Sequence, residues 1–515
     1  MRLNWKKLLL SLFIGVGMTM IPACNNSVDY TPDGGEPGKE VIEPTETGYL
    51  SVRLSLGSTV GTKVDQGTES GRFEEQKVQS VWLILYGVSN NKVEYFFNLD
   101  ASNGSTVHDP FSGNDVSQES INTASSFVTV GIPIVKQRYR MLVLVNAQAP
   151  DLFKVGEPIS NVVDAVQKIS DRSVLTDNGG LAQDNSFFMS NAQGLINISE
   201  MDIMDSEKKA ERNPKLVSVE RAVAKIILDY VPTPSNDDKF INIKWDVDVT
   251  NLRTYWLRKM TNLYGGIPEQ TNDGSDRYHR YAEDPNFSGY SQWNNSGVNL
   301  DNEFEYLPSD AYPYLAQDYS LVSSDSYIYV LENTMAADEQ RQDVTTRLVV
   351  GGYYIPKALN SQTPKNFYTY KGNVITESTM DFYSLYPNIA ESEHPGLAKA
   401  MTEAKIIYGP NIFDYGDSTK EPFSQFGINY YKNGLCYYTV LIRHFDDDIE
   451  PNRMAYGRYG VVRNNVYRFN LKTIPGPGSP KLYKPGPEPD DDETSISAYI
   501  EVLPWQVHDQ MLEFN

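Results

Sequence analysis

Two cysteines and five histidines are all that this 515-residue chain offers for thiol or imidazole chemistry. One of them is placed to react. Cys24 closes the run Ile21-Pro22-Ala23-Cys24, after a basic start (Arg2, Lys6, Lys7) and an apolar stretch from Leu8 to Met20. A charged region, an apolar region too short for a stable span and a small residue before a cleavage point form a secretory signal over residues 1–23. Cleavage there would leave Cys24 at or near the new start of the chain. A second chemistry is done to the chain rather than by it. Lys63 and Arg72 lie in, or at the end of, a loose Gly/Ser/Thr-rich stretch from Gly57 to Gly71, where a protease specific for basic residues can cut.

Other reactive patterns are absent or weak. There is no Gly-x-Ser-x-Gly, His-Glu-x-x-His, P-loop or dinucleotide fingerprint. His108, His279, His394, His444 and His508 have no ligand spacing and read as surface or packing residues. Asp446-Asp447-Asp448-Ile449-Glu450 lacks the glycine and distal glutamate of a calcium loop, and Asp273-Gly274-Ser275-Asp276 is no stronger. Cys436, between Leu435 and Tyr437, reads as a small buried hydrophobe. With Cys24 acylated no disulfide can form within the chain. No enzyme activity, metal or cofactor is expected. A formal net charge of −22 argues against nucleic acid, whose phosphates would repel it.

The elements around Cys24, Lys63 and Arg72 read as β structure, favoured by 34 Tyr, 20 Phe and 6 Trp among short apolar runs and many turn residues. Residues 25–47 are a polar, acidic tether. In Leu50-Ser51-Val52-Arg53-Leu54-Ser55-Leu56 the four aliphatic residues share one face, the alternation of a half-buried strand. Val78–Val88, Phe127–Val135 and Tyr139–Val145 are apolar on both faces, as in interior strands of a sandwich. Val162, Val163, Val166 and Ile169 recur at helical spacing within Asp151–Ile169. The first domain is expected to end near Asn213-Pro214. A second strand-rich block opens at Val217–Leu228 and continues through Phe240–Val249, Thr345–Tyr354, Leu435–Ile442 and Asn465–Leu471. Long insertions lie at Thr254–Tyr327 and Asn360–Gly427, with no sustained helical periodicity expected.

A Pro/Gly/Asp-rich segment from Ile474 to Glu493 is expected to run unpacked and extended, reaching on the order of 60 Å. Beyond it Ile496, Ala498, Ile500 and Val502 alternate with polar residues. Leu503, Trp505 and Val507 shift parity around Pro504, which places this strand on a sheet edge or kinks it.

A lone amphipathic strand leaves its apolar face and backbone groups unsatisfied until it finds a sheet edge. If the first strand is cut away after Lys63 or Arg72, a groove opens that the C-terminal strand of a second molecule can fill. Four to five buried aliphatic side chains at ~1.5–3 kcal/mol each supply on the order of 10 kcal/mol before entropy costs. Such a contact is head-to-tail and builds an open filament. The alternative is that both strands edge their own domains, the last one folding back.

Cys24 and the signal before it resemble the lipobox of bacterial lipoproteins. Tyr459-Gly460-Val461-Val462-Arg463-Asn464-Asn465-Val466-Tyr467-Arg468-Phe469-Asn470, Val502-Leu503-Pro504-Trp505-Gln506-Val507-His508 and Val219-Glu220-Arg221-Ala222-Val223-Ala224-Lys225 carry a further resemblance. Through them the chain as a whole resembles the fimbrillins of the minor-fimbrium (Mfa-like) type, the type V pilus subunits, and in particular their major structural subunits. Leu142-Val143-Leu144-Val145-Asn146 and Phe188-Met189-Ser190 match more weakly. The resemblance implies an all-β fold of two transthyretin-like β-sandwich domains with long insertions and a C-terminal donor strand.

On that basis residues 1–23 are the signal peptide and 24–63 a propeptide with tether and first strand, its end at 63 or 72. Residues 64–214 and 215–473 are the two domains, 474–495 the linker and 496–515 the donor strand. Lipidation falls on Cys24 and the maturation cut after Lys63, where the family has arginine, or after Arg72. Implied partners are identical subunits head-to-tail, anchor and tip fimbrial subunits, a maturation protease, and host or bacterial surface ligands. The function implied is adhesion, with biofilm or host interaction, from a fimbrium whose precursor is lipid-anchored in the outer membrane. The other reading, an outer-membrane glycan-capture lipoprotein, fits the lipobox, acidity and Tyr/Trp content but calls for helical repeats.

Overall fold

The computed structural model describes residues 46–56, 69–98, 126–147, 154–192, 194–260, 269–270, 276–277, 282–288, 300–319, 326–336, 339–444, 460–488 and 498–506. Cys24, Lys63, His108, Asp273, His279, the run 446–450, Ile496, Val507 and His508 lie outside the described residues. All the described residues fall within one unit, Thr45–Asn515.

The N-terminal half is built on strands whose two faces are both apolar. β1 (Thr47–Leu50) and β2 (Val52–Leu56) form the first strand, broken at Ser51, and are followed by the two-residue β3 (Glu69–Ser70). Next come β4 (Val81–Gly87), β5 (Val93–Asn98), β6 (Ser126–Val128), β7 (Ile132–Val135) and β8 (Tyr139–Val145). After α1 (Ser160–Val163) come β9 (Met189–Asn191), α2 (Glu207–Arg212) and β10 (Lys215–Arg221). The main sheet runs β5-β4-β8-β9-β10-β2-β6, and β1 pairs with β7 as a separate ribbon. Val81, Leu83, Leu85, Met141, Val143 and Val145 share one core with Leu50 and Ile134 of the ribbon. On the opposite face Trp82, Ile84, Tyr86, Leu142 and Leu144 pack with Phe188, Leu195 and Leu257. Double-sided burial explains why β4 and β8 carry no alternation.

The C-terminal half is a second sandwich. Its strands are β11 (Val223–Tyr230), β12 (Lys239–Asp248), β13 (Ile328–Leu331), β14 (Arg347–Ile355), β15 (Leu435–Leu441), β16 (Asn465–Leu471) and β17 (Ala498–Gln506). One sheet runs β13-β11-β16-β17-β3, the other Gln317–Asp318, β12, β14, β15. Ala224, Ile226, Val330, Tyr467 and Phe469 from the first meet Trp245, Val247, Leu348, Val350 and Tyr438 from the second. Cys436 is fully buried in this core, and burial pushes its thiol up to about 12.

Four expectations are corrected. Lys215–Arg221, read as the opening of the second domain, is hydrogen-bonded in the N-terminal sheet, so the chain changes sheet at Ala222. Alternation reports which face is buried and not which sheet a strand joins. Among the described residues of 151–169 the helix is limited to α1, and Val166–Lys168 pairs with Arg253–Tyr255 instead. β-branched valines lose little by that exchange.

The stretch around 360–427 is no structureless loop. Strands Phe367–Tyr370, Asn373–Thr376, Phe423–Gln425 and Ile428–Tyr431 form a four-stranded sheet. It is covered by α3 (Glu377–Leu385), α4 (Pro387–Glu393) and α5 (Leu397–Tyr408) around a core of their own. Leu397, Ala400, Met401 and Ala404 form the buried stripe of α5, a helical spacing present in the sequence.

The Pro/Gly-rich segment does not run free over its first part. Ile474 and Leu482 are buried, Tyr437 and Ser479 exchange backbone hydrogen bonds of 2.8 Å, and the hydroxyls of Tyr431 and Tyr438 donate to the carbonyls of Gly478 and Gly476. Proline excludes a segment from a ladder interior but not from lying extended against a sheet. A Cβ at position 478 would lie 2.2 Å from the Tyr437 carbonyl oxygen. Gly478→Ala is therefore expected to undock this segment without unfolding the sandwich. Limited proteolysis should show new cuts within 474–488 while the thermal midpoint moves by no more than a few degrees.

Candidate functional site

The first strand is an internal strand of its sheet. β2 lies between β10, parallel to it from Val52↔Lys215 to Leu56↔Val219, and β6, antiparallel to it from Arg53↔Val128 to Ser55↔Ser126. β1 pairs with β7 from Thr47↔Val135 to Leu50↔Ile132, and its Tyr49 exchanges two 2.8 Å backbone bonds with Met204. Gly48 is needed for this approach, since a Cβ there would meet Ile203 Cγ2 at 2.5 Å. At the break Ser51 Oγ donates to the Thr129 carbonyl (2.7 Å), while Thr129 Oγ1 accepts from Val52 N (3.0 Å). Leu50, Val52 and Leu54 are each 0 % exposed beside Ile134, Val217 and Val219. Three such side chains account for roughly 5–9 kcal/mol of burial. Leu56 continues the register by its backbone.

After β3 the chain is pinned by a buried carboxylate. The Glu75 side chain accepts from Arg72 N (2.7 Å), Arg72 Nε (3.1 Å), Lys225 Nζ (2.8 Å) and Tyr329 OH (2.5 Å). Burial alone would raise the Glu75 pKa; Lys225, Tyr329 and Arg221 outweigh it and hold the carboxyl below its ordinary range. Arg72 also donates to Asp184 (2.8 Å) and to Tyr329 OH (3.1 Å), with its guanidinium 4.4 Å from the Tyr327 ring centre. Arg72 is thus engaged on every side.

Other charges in the segments that carry the resemblance, Glu220, Arg221 and Arg463, are paired around the point where the chain changes sheet, while Arg468 pairs apart from them with Asp229. Arg221 Nε donates to the Glu75 carbonyl (3.1 Å). Asn464, in the left-handed conformation at φ 60° that asparagine tolerates, accepts from Arg221 N (3.2 Å) through its side-chain oxygen. Arg463 pairs with Glu332 (3.0 Å) and donates to Thr254 Oγ1 (2.8 Å), and Glu220 pairs with Arg258 (2.8 Å). Burial pushes Glu220 up to about 7 against the pull of Arg258 and Arg463. Burial also pushes Asp284, hydrogen-bonded by Asn251, Asn286 and Thr334, up to about 8. Glu75, Glu332 and Arg258 were not singled out from the sequence. The signal was there for Glu220, Arg221 and Lys225, charges inside an apolar run, which must be paired if the run is buried. Among the described residues no group of three His, Cys, Asp or Glu side chains has metal-ligand placement. His444 packs, bonded to the Tyr467 hydroxyl at 2.9 Å, and burial lowers its pKa to about 4.

The last strand is found in its own molecule. β17 lies antiparallel to β16 over its whole length apart from its final two residues, from Leu471↔Ala498 to Asn465↔Pro504. Among the described residues its other side is paired only at Trp505 and Gln506, which lie parallel to Glu69 and Ser70 of β3. Pro504 is thus at the end of the β16 ladder on an edge strand, where proline is tolerated. Arg53 is partly buried within β2, its backbone paired on both sides.

Two sandwiches, a first strand inserted in its sheet and a last strand along an edge make the described residues predominantly β. The family model described as "Major fimbrial subunit protein type IV, Fimbrillin, C-terminal" matches residues 429–511. These residues contain both the Arg463-Asn464-Asn465 and Leu503-Pro504-Trp505 segments, and the match bears out the resemblance. Over these residues the chain is similar to the C-terminal part of major fimbrial subunit proteins.

Among solved structures the chain is similar to a fimbrilin from Porphyromonas gingivalis W83, with 16% identity and a TM-score of 0.42 over 90% of this chain and 99% of that one. It is similar to the C-terminally truncated tip fimbrial protein Mfa3 from Porphyromonas gingivalis, at 11% identity and a TM-score of 0.36 over 89% and 100%. It is also similar to a fimbrial assembly protein from Parabacteroides distasonis ATCC 8503, at 14% identity and a TM-score of 0.25 over 52% and 80%. No curated protein sequence matches the chain.

Two outcomes test this account of the junction. Lys225→Met leaves Glu75 without its lysine and is expected to cost about 3–5 kcal/mol in denaturant unfolding. For Glu220 the raised pKa means that the folded chain keeps a proton the unfolded chain has released. Its contribution to stability therefore falls as pH rises from about 4.5 to about 7. In Glu220→Gln the drop in unfolding midpoint between those pH values should be smaller than in the wild type; an equal drop would show that Glu220 titrates normally.

Proposed function

We propose that the chain is a structural subunit of a surface fimbrium that polymerises by strand exchange. It is exported as a lipoprotein precursor acylated at Cys24 in the outer membrane, matured by a protease and stripped of its first strand. The C-terminal strand of a second copy then enters the vacated slot. Anchor and tip subunits bound the filament, which serves adhesion to host or bacterial surfaces. The observation that carries this reading is the position of β2. Removing it leaves two unpaired edges, β10 and β6, and uncovers a trough lined by Val217, Val219 and Ile134. An incoming strand of alternating aliphatic residues satisfies both the edges and the trough.

Between the two basic positions, the geometry favours a cut after Lys63. A protease must draw the residues around the scissile bond into an extended conformation. At Arg72 that would break the contacts to Glu75, Asp184, Tyr327 and Tyr329. The decisive experiment treats purified precursor with limiting lysine- or arginine-specific protease, sequences the new N-terminus and follows heat-sensitive ladders on gels. Wild type and Arg72→Gln are expected to be cut and to polymerise, whereas Lys63→Ala is expected to stay whole and monomeric. Cleaved protein that remains monomeric at high concentration would overturn strand exchange.

A further inference from the structure

We infer that β3 is a clasp which stores the C-terminal strand in its own subunit and survives maturation. The inference rests on the strand-exchange reading above and adds what holds the donor back. Among the described residues β17 has a long ladder on one side only, toward β16, and its other edge is met by β3 alone, at Glu69↔Trp505 and Ser70↔Gln506. An edge strand with one open side peels readily, and the point at which its second side is covered governs where peeling starts.

The clasp has a fixed base. Two residues beyond β3, Arg72 is held through both backbone and side chain to the buried Glu75, which is itself held by Lys225 of β11 and Tyr329 of β13. β3 is therefore tethered to the same sheet that β17 edges. The two candidate cuts have opposite consequences. Cleavage after Lys63 leaves β3 on the mature chain as the start of its N-terminal segment. Cleavage after Arg72 would carry β3 away with the first strand.

With the cut after Lys63, a mature subunit has an open slot but a donor strand still clasped to itself. Extension then requires the Trp505–Gln506 end of β17 to leave β3 before β17 can leave β16. A two-residue parallel pairing suits that role, since it orders the strand end without adding a long ladder that must be broken. The device keeps cut subunits from pairing at random.

The test uses the full-length chain carrying Ser70→Cys and Gln506→Cys, the two positions that face each other in register. After cleavage, the oxidised protein is expected to give no ladder, and addition of reductant is expected to restore ladders to the wild-type extent. Ladders of equal extent in the oxidised form would overturn the clasp. Absence of ladders from the reduced variant and from cleaved wild type alike would overturn strand exchange itself, and the clasp with it. Should the double variant fail to fold, hydrogen exchange on cleaved wild-type protein decides: the backbone amides of residues 69–70 and 505–506 are expected to lose protection together, and independent loss would overturn the inference.

Discussion

Glu75 is a carboxylate without access to water, and much of the structure is organised around keeping it charged. An isolated buried carboxylate is costly; here Lys225, Arg72 and Tyr329 come from three separate parts of the chain to meet it. Lys225 and Tyr329 are on neighbouring strands of the C-terminal sheet, whereas Arg72 belongs to the segment leaving the first strand. One ion cluster therefore sets where the N-terminal segment crosses the second sandwich, and Arg221 and Asn464 extend it to the point where the chain changes sheet. Charges in such a place do more for register than for net stability, because apolar residues of equal volume could fill the space.

The two terminal strands are held by different means. The first has partners on both sides and its aliphatic face in a core, so extracting it breaks two ladders and exposes that face. The last has a long ladder on one side and, among the described residues, only a two-residue pairing on the other. In one molecule the chain thus combines a strand that is hard to extract with one that is easy to detach, the asymmetry that a one-way exchange requires. Backbone hydrogen bonding sets the terms for both, since an edge left without a partner is costly; in the exchange proposed above each strand would trade one partner for an equivalent one.

Local patterns in the sequence carried the parts of the fold that depend on nearest neighbours. The alternation of Leu50, Val52 and Leu54 gave their burial, and the unbroken run Tyr139–Val145 is a strand buried on both faces. Pro504 belongs on an edge and is found on one. What escaped depends on distant contacts. Phe73-Glu74-Glu75 looks like a solvated turn, and nothing local reveals that Glu75 will meet a lysine 150 residues away. Lys215–Arg221 has the right pattern for a strand of either sandwich. The stripe Leu397, Ala400, Met401, Ala404 was legible but is diluted by the exposed Ile406, Ile407 and Tyr408 that follow it on α5.

The packed Pro/Gly-rich segment acts as a ruler. Were the whole of it loose, the last strand could search a wide volume for an acceptor. With the chain fastened as far as Glu488, whose carbonyl accepts from Gln342 N at 2.9 Å, only the nine residues 489–497 separate anchorage from β17. Fully extended, nine residues span about 30 Å. A filament built without undoing that fastening would have its axial repeat confined by this leash, so that subunit spacing would be written into the surface of the second sandwich rather than into the length of a flexible tail.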